Sequence, residues 1–363
     1  MTPSKTMRPV APLADEGAGA DRDEGSGVQS RPGRVGQNPT MDTWRRQPKF
    51  DPIPSLLAAE SEAIRYFARR DLLAEAVPRV GRLWTLPEAE RILRGQKSDG
   101  SWKYPGGKEQ VRSREDYDQL ETFRRLGLLI EKYGLDRSHG AVKAAAEFLL
   151  AHQTGEGDIR GIFRTQYVPH YTAGMLELLV KAGYAGEARV EKGFGWLLSV
   201  RQDDGGWAFP LRAAGVSYAQ AVRRPGPIQP VRSKPFSHLL TGVVLRGFAA
   251  HPRRRKSQAA HEAGRLLISR FFQPDKYIDR RERSYWEKVS FPYWFTDIVS
   301  ALDSLSLLGF TPEDPGIQSA LEWMRGRQAR DGRFRMKLLK ASDPELPLWV
   351  ALAVCRIFKR FYG

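Results

Sequence analysis

The sequence is poor in cysteine and in long apolar runs, and each shortage excludes a class of protein. Cys355 is the one cysteine among 363 residues, so neither an internal disulfide nor a cysteine-rich metal site can form. No run of about eighteen apolar residues exists, and we expect no transmembrane segment. The N-terminus also lacks the apolar core of a secretory signal. The composition favours a cytoplasmic protein, for which peripheral contact with a membrane is left open.

Negative charge is also in short supply. The chain has 58 Lys and Arg residues against 42 Asp and Glu residues, a formal net charge of +16. Such an excess favours anionic partners, for example nucleic acid, phospholipid head groups or a diphosphate. The arginines are scattered over the chain, with one dense run at 253–256, and no nucleic-acid-binding motif accompanies them. Nucleic acid is therefore not the expected partner.

One short segment recurs along most of the chain. It reads Gln-Asp-Asp-Gly-Gly-Trp at Gln202 and returns in related form at Gln96 and Gln328, the last with Phe in place of Trp. Degenerate copies begin at Gln153 and Gln273. Because the copies are spaced 49 to 71 residues apart, they predict a series of similar structural units.

Each copy has the composition of a junction between helices. Gly adopts the left-handed conformation that ends a helix, and Asp can bond its own turn. The Gln amide can bond groups that lack partners at helix ends, and an indole can cover the junction. We therefore predict a structural role, rather than chemistry, for these residues: Gln96, Trp102, Gln202, Trp207 and Gln328.

Apolar periodicity predicts an all-α domain over residues 49–363, preceded by a disordered tail over residues 1–48, which are rich in Gly, Pro and Ser. Helices are expected over 53–60, 61–72, 85–96, 115–133, 138–152, 169–182, 186–201, 235–250, 257–272, 292–308, 313–328 and 345–361. A lone short helix at the start and a lone helix at the end would complete a sixth pair. The pairs are therefore expected to close into a ring rather than to form an open solenoid.

The recurring segments resemble the QW motif of squalene and oxidosqualene cyclases, which protein prenyltransferase β subunits share more loosely. The resemblance covers residues 50–363. It implies an (α/α)6 toroid, in which the helix before each Gln is outer and the next is inner and lines a central cavity. It also implies an apolar, isoprenoid-type ligand, whose cyclisation or transfer the chain would catalyse. Because one fold can serve many functions, the resemblance does not decide whether this chain is catalytic.

The starts of the inner helices are the first places to look for chemistry, because partly positive helix N-termini favour anions. Matching the helix starts puts His238 and Asp297 at equivalent places in adjacent repeats. The candidate acids and bases are Asp297, Asp118, His238 and His170. For each histidine, simple hydrogen bonding at a helix start is the alternative role.

Aromatic residues are concentrated between residues 285 and 295, next to a long connection over 273–291 that could be a lid or disordered. Aromatic faces can stabilise a carbocation, and they also pack ordinary cores. The candidate ligand-binding residues are Trp294, Tyr293, Tyr171, Trp286 and Tyr117.

Two motifs of the resembled enzymes are incomplete here. Bacterial squalene cyclases open an inner helix with Asp-x-Asp-Asp, whereas this chain has Asp116-Tyr117-Asp118-Gln119. The Asp-x-Cys of zinc-dependent prenyltransferases and a DDxxD run are both absent, so neither a metal nor another cofactor is expected. The alternative to an isoprenoid-binding protein is a non-catalytic toroid scaffold that binds an anionic partner on its basic surface.

Overall fold

Fourteen α-helices, together with short 3-10 and π-helices, make up more than half of the described structure, a computed structural model that covers residues 43–106, 114–339 and 343–363. Their bounds are α1 (Ile53–Leu57), α2 (Glu62–Phe67), α3 (Pro87–Arg94), α4 (Arg114–Tyr133), α5 (Gly140–Ala151), α6 (Pro169–Leu179), α7 (Ala188–Ser199), α8 (Pro210–Ala213), α9 (Tyr218–Ala221), α10 (His238–Ala250), α11 (Gln258–Ile268), α12 (Ile298–Leu307), α13 (Pro315–Gly326) and α14 (Leu346–Tyr362). Two short strands, β1 (Lys288–Val289) and β2 (Lys337–Leu338), pair in parallel.

Six helices form a closed inner ring. Helices α2, α4, α6, α10, α12 and α14 each contact the next, and α14 contacts α2. Helices α1, α3, α5, α7, α11 and α13 pack outside them, each against a neighbouring inner helix. The prediction of an all-α fold of paired helices is confirmed, and each helix before a repeat glutamine packs outside the ring as expected. Helices α8 and α9 were not predicted. None of the described helices is long and apolar enough to cross a bilayer.

Inner and outer helices differ in burial as their positions require. Every residue of α10 from His238 to Ala249 is buried, because neighbours surround this helix. In α11, burial is confined to Ala260, Ala263, Gly264 and Leu267, which lie on one helical face. An outer helix thus keeps one face for the ring and exposes the rest to water.

At three junctions, a glutamine at the end of an outer helix joins one repeat to the next, whereas the Gln273 side chain bonds Ser269 and Arg270 of its own turn. Gln96 Nε2 donates hydrogen bonds to the carbonyl of Gly100 in its own turn (2.9 Å) and to that of Ala141 at the start of α5 (2.8 Å). Gln153 makes the equivalent pair of bonds, to its own turn and to the start of α7. These amides satisfy carbonyls that the turn and the helix start leave free.

A glutamine side chain at a helix end also closes the ring. Gln328 Nε2 donates to the carbonyls of Gly332 (3.0 Å) and Phe50 (2.7 Å), and Gln328 Oε1 accepts from the Phe50 N–H (3.0 Å). Because Phe50 lies just before α1, these bonds tie the last repeat to the first. Gly332 has a φ of +80°, and a Cβ there would lie 2.5 Å from the Asp51 carbonyl oxygen. Only glycine therefore fits this turn.

The two tryptophans of the repeat occupy equivalent buried sites. Trp102 Nε1 donates to the Ile92 carbonyl, and Trp207 Nε1 donates to the Leu197 carbonyl, both at 2.7 Å. The backbone N–H of Trp207 donates to Thr241 Oγ1 on the following inner helix (2.9 Å). Each indole thus links the end of an outer helix to the inner helix beside it.

Several helix boundaries differ by a few residues from the sequence-based ones, and two differences affect the architecture. Residues 1–42 of the predicted tail lie outside the described residues, but Thr43–Arg46 form a 3-10 helix in which Trp44 is fully buried. The inner helix expected from residue 292 begins at Ile298, because the Asp297 side chain caps it there. The six residues before Asp297 are therefore free to form a non-helical segment of the wall.

Candidate functional site

The N-terminal halves of the inner helices surround a central cavity with two adjoining compartments of about 380 and 490 Å³. Both compartments are lined by His170 and Tyr171 of α6, Val243 of α10 and Phe295. Helix α4 lines this cavity from Leu120 to Lys132, whereas α6, α10 and α14 line it only near their starts. These three helices therefore run in the same direction. Their positive ends therefore lie on the same side of the ring.

The wall of the cavity is largely aromatic. The ring of Phe123 makes edge-to-face contacts with Tyr171 (6.1 Å between centroids) and with Trp294 (5.5 Å). His170 packs edge-on against Phe209 at 5.3 Å. Trp294 and Phe295 are only partly buried by protein, so their remaining surface is available to a ligand. An apolar molecule in this space would touch ring faces on several sides.

Three of the predicted site residues line this cavity: His170, Tyr171 and Trp294. Phe295, Phe123, Phe209 and Tyr218 line it as well and were not among the candidates. Phe209 and Tyr218 lie in the long connection over 208–234, where α8 and α9 fold them inward. The sequence of this connection has no periodicity that could have indicated that Phe209 and Tyr218 line the cavity.

Asp297 is a buried helix cap and does not belong to the lining of either compartment. Its Oδ1 accepts hydrogen bonds from the N–H groups of Val299 and Ser300, both at 2.9 Å. Burial raises the pKa of Asp297 to about 7, although Arg246 and nearby backbone N–H groups act in the opposite direction. A carboxyl group with this pKa is partly protonated near neutral pH, and it lies on the first turn of an inner helix.

His238 pairs with Asp275 rather than with Asp297. His238 Nδ1 lies 3.2 Å from Asp275 Oδ2, and the imidazole stacks on Trp286 at 4.6 Å. Burial lowers the pKa of His238 to about 4, and Asp275 offsets only part of this effect. Asp275 also accepts from Ser237 Oγ (2.9 Å). His238 and Trp286 thus belong to a buried network that anchors the 273–291 connection.

Asp118 is engaged in the wall of the ring. Its Oδ2 accepts from Lys97 Nζ (3.1 Å) and its Oδ1 from the backbone N–H of Tyr104 (2.7 Å). Tyr117 packs against the ring of Tyr104, 4.7 Å between centroids. Neither Asp118 nor Tyr117 belongs to the lining of the two compartments.

The C-terminal halves of the inner helices enclose a cavity of different chemistry. It has about 490 Å³ and is lined by Tyr293 together with charged residues from α4, α12 and α14 and with Lys181, which follows α6. Next to it, the buried Glu177 accepts from Lys181 Nζ (2.8 Å) and Arg246 Nε (2.9 Å). Burial raises the pKa of Glu177, but these two cations outweigh it and leave the pKa below its usual range. Tyr293 therefore lies among ion pairs rather than in the aromatic cavity.

Charged residues also line the aromatic cavity, and most of them are paired. Glu121 accepts from Arg125 Nε at 2.7 Å, and Lys132 pairs with Asp343. Asp279 is held by Arg212. For Arg280, no carboxylate lies within 4 Å among the described residues. Within the same residues, no group of three or more His, Cys, Asp and Glu side chains is placed to hold a metal ion.

Comparisons with known proteins found similar structures only. No family model and no curated protein matches the chain. A protein from Actinoplanes is 17% identical over 78% of this chain and 88% of that one, with a TM-score of 0.37. The type II terpene cyclase MstE from Scytonema, with bound geranylgeranyl dihydroxybenzoate as substrate, is 12% identical over 89% of this chain and 99% of that one, with a TM-score of 0.39. At such low identities and TM-scores, these likenesses assign neither a family nor an activity to this chain.

Proposed function

We propose that this chain binds an apolar, isoprenoid-type small molecule in the aromatic cavity at the centre of the ring. The supporting observation is the cavity itself, whose two compartments share His170, Tyr171, Val243 and Phe295. Volumes of this size are typical of small-molecule sites. A cytoplasmic location and peripheral contact with a membrane stay predictions.

The aromatic wall favours an isoprenoid over other apolar ligands. Edge-to-face contacts hold Tyr171, Phe123 and Trp294 at fixed angles, so that they bound a shaped space. Branched, unsaturated chains present many methyl groups and double bonds to such rings. The same faces would stabilise positive charge that develops on the chain during a reaction.

Binding of geranylgeraniol, measured by titration calorimetry and by thermal shift, tests this function. Trp294→Ala should weaken binding about tenfold or more, because it removes a wall of the cavity. Trp323→Ala is the matched control. Trp323 lies on outer helix α13, where it packs against Phe272 and away from the cavity. Native mass spectrometry of the purified protein should also detect a lipid-sized ligand. If no ligand copurifies and geranylgeraniol gives neither heat nor thermal shift, the scaffold alternative is favoured.

A catalytic role in isoprenoid cyclisation is the second candidate function. The raised pKa of Asp297 favours it, because an acid that protonates an alkene must carry a proton near neutral pH. Asp297 lines neither compartment, so the wall must rearrange for this carboxyl group to reach a ligand there. Asp297→Asn should abolish the formation of cyclised product, measured by gas chromatography and mass spectrometry. The melting temperature should change little, because Asn caps a helix as well as Asp. A large loss of stability with unchanged turnover would assign Asp297 to structure alone.

A further inference from the structure

Arg280 differs from the other cations that line the aromatic cavity. Arg125 is 2.7 Å from Glu121, and Lys132 pairs with Asp343. Arg280 lines the compartment of about 380 Å³, and among the described residues no carboxylate lies within ion-pair distance of it. Among the described residues, Arg280 is therefore the lining cation that has no carboxylate within ion-pair distance.

The neighbouring Asp279 is not available to Arg280. Arg212 donates from Nε to Asp279 Oδ2 (2.6 Å) and from Nη2 to Asp279 Oδ1 (2.8 Å). Both carboxylate oxygens are thus engaged by one guanidinium in a bidentate pair, which is the strong form of this interaction. Two consecutive residues of the loop thus differ: Asp279 is paired, and Arg280 has no carboxylate partner among the described residues.

Aromatic rings hold the Arg280 guanidinium in place. Its central carbon lies 3.4 Å from the ring centroid of Phe295 and 5.3 Å from that of Tyr285. A guanidinium stacked on a ring keeps its N–H groups directed outward in its own plane, where they can donate to a ligand. Burial lowers the pKa of Arg280, yet a guanidinium stays charged at every physiological pH.

The backbone at Arg280 supports a fixed placement. Its φ of 53° lies in the left-handed region, which side chains other than glycine rarely adopt. Surrounding contacts must hold such a residue in place. The ring contacts and the bonds of the adjacent Asp279 supply them.

We propose that Arg280 binds the carboxylate of an isoprenoid acid whose apolar chain lies against Tyr171, Phe295 and Val243. This deepens the proposed function and rests on it. A guanidinium fork matches the two oxygens of a carboxylate, and one unpaired cation balances one negative charge. The ligand is then an amphiphile, held by an ion pair at one end and by aromatic contacts along its chain.

Paired ligands that differ only in the head group test this assignment. Geranylgeranoic acid and geranylgeraniol are titrated into the protein by calorimetry, at a pH where the acid is ionised. The wild-type protein should prefer the acid roughly tenfold to a hundredfold, the range expected for one hydrogen-bonded charge. Equal affinities would overturn the head-group assignment and leave the proposed function intact. If the protein binds neither ligand, the proposed function itself fails.

Two variants locate the preference. Arg280→Met should remove it, and an unchanged circular dichroism spectrum and melting temperature report an intact fold. Arg283→Met is the matched control, because Arg283 lies in the same connection, is exposed and makes the same change in charge. An unchanged preference for the acid in Arg280→Met, or an equal loss in both variants, would overturn the proposal. Geranylgeranyl diphosphate should bind less tightly than the acid, and a tighter, magnesium-dependent association would contradict a carboxylate site.

Discussion

The two halves of the ring interior contain cavities of similar volume and opposite chemistry. Toward the helix N-termini, rings such as Tyr171 and Trp294 surround the space, and Arg280 has no carboxylate partner among the described residues. Toward the C-termini, Glu177 is held between Lys181 and Arg246. Volume alone therefore does not identify the site. What distinguishes the N-terminal half is exposed aromatic surface and a charge that a ligand could neutralise.

The largest expected effect belongs to the ion-paired half. Glu177→Gln should lower the free energy of unfolding by roughly 3–5 kcal/mol, because it leaves the buried Arg246 without its carboxylate. Glu147→Gln is the control, since Glu147 pairs with Arg189 on the exposed outer face and should cost about 1 kcal/mol or less. Urea denaturation measures both. Equal, small losses would mean that the C-terminal half is solvated like a surface.

Truncation of a tryptophan should separate packed from ligand-binding positions. Trp207→Ala should cost roughly 3–5 kcal/mol, because its fully buried indole joins two helices. Trp294→Ala should cost about half of that or less, because part of Trp294 already faces empty space. Thermal denaturation of the two variants gives the comparison. If Trp294→Ala is the more damaging change, Trp294 belongs to the core and not to a site.

Lowering the pH should destabilise the folded protein, because the buried His238 has a lowered pKa. The pKa is about 4 in the folded protein and about 6.5 when unfolded, so the unfolded chain binds more protons between these values. The resulting stability is fully present above pH 6.5 and is lost as the pH falls toward 4, by up to about 3 kcal/mol. His238→Gln cannot titrate and should lose less stability over this interval in pH-dependent denaturation. An identical pH profile for both proteins would contradict a neutral, buried imidazole.

The fold could be predicted because the same helix-ending segment recurs along the chain. Gln96, Gln202 and Gln328 stand at equivalent helix ends, and one physical argument about helix termini applies to all three. The order of inner and outer helices was implied by the resemblance of these segments to the QW motif. Closure could also be predicted, since the incomplete pair at each end of the sequence is what Gln328 and Phe50 join.

The candidate site was predicted only in part because its residues do not repeat. His170, Tyr171 and Trp294 stand at or near helix starts, where the repeat directs attention, and they line the cavity. Arg280 is one of many arginines in the chain and lies in an irregular loop. It is distinctive only because Arg212 binds the neighbouring Asp279, so that Asp279 does not pair with Arg280. Such a difference depends on three-dimensional neighbours, which a sequence pattern does not encode.

Filling the aromatic cavity tests the central claim most directly. Val243 lines both compartments, so Val243→Trp would place an indole where they meet. If the space is empty and holds a ligand, this variant should change its free energy of unfolding by about 0.5 kcal/mol or less and lose geranylgeraniol binding at least tenfold in calorimetry. A packed core would instead respond to the added volume with a loss of roughly 1–3 kcal/mol. That loss, or unchanged binding, would contradict a ligand site at the centre of the ring.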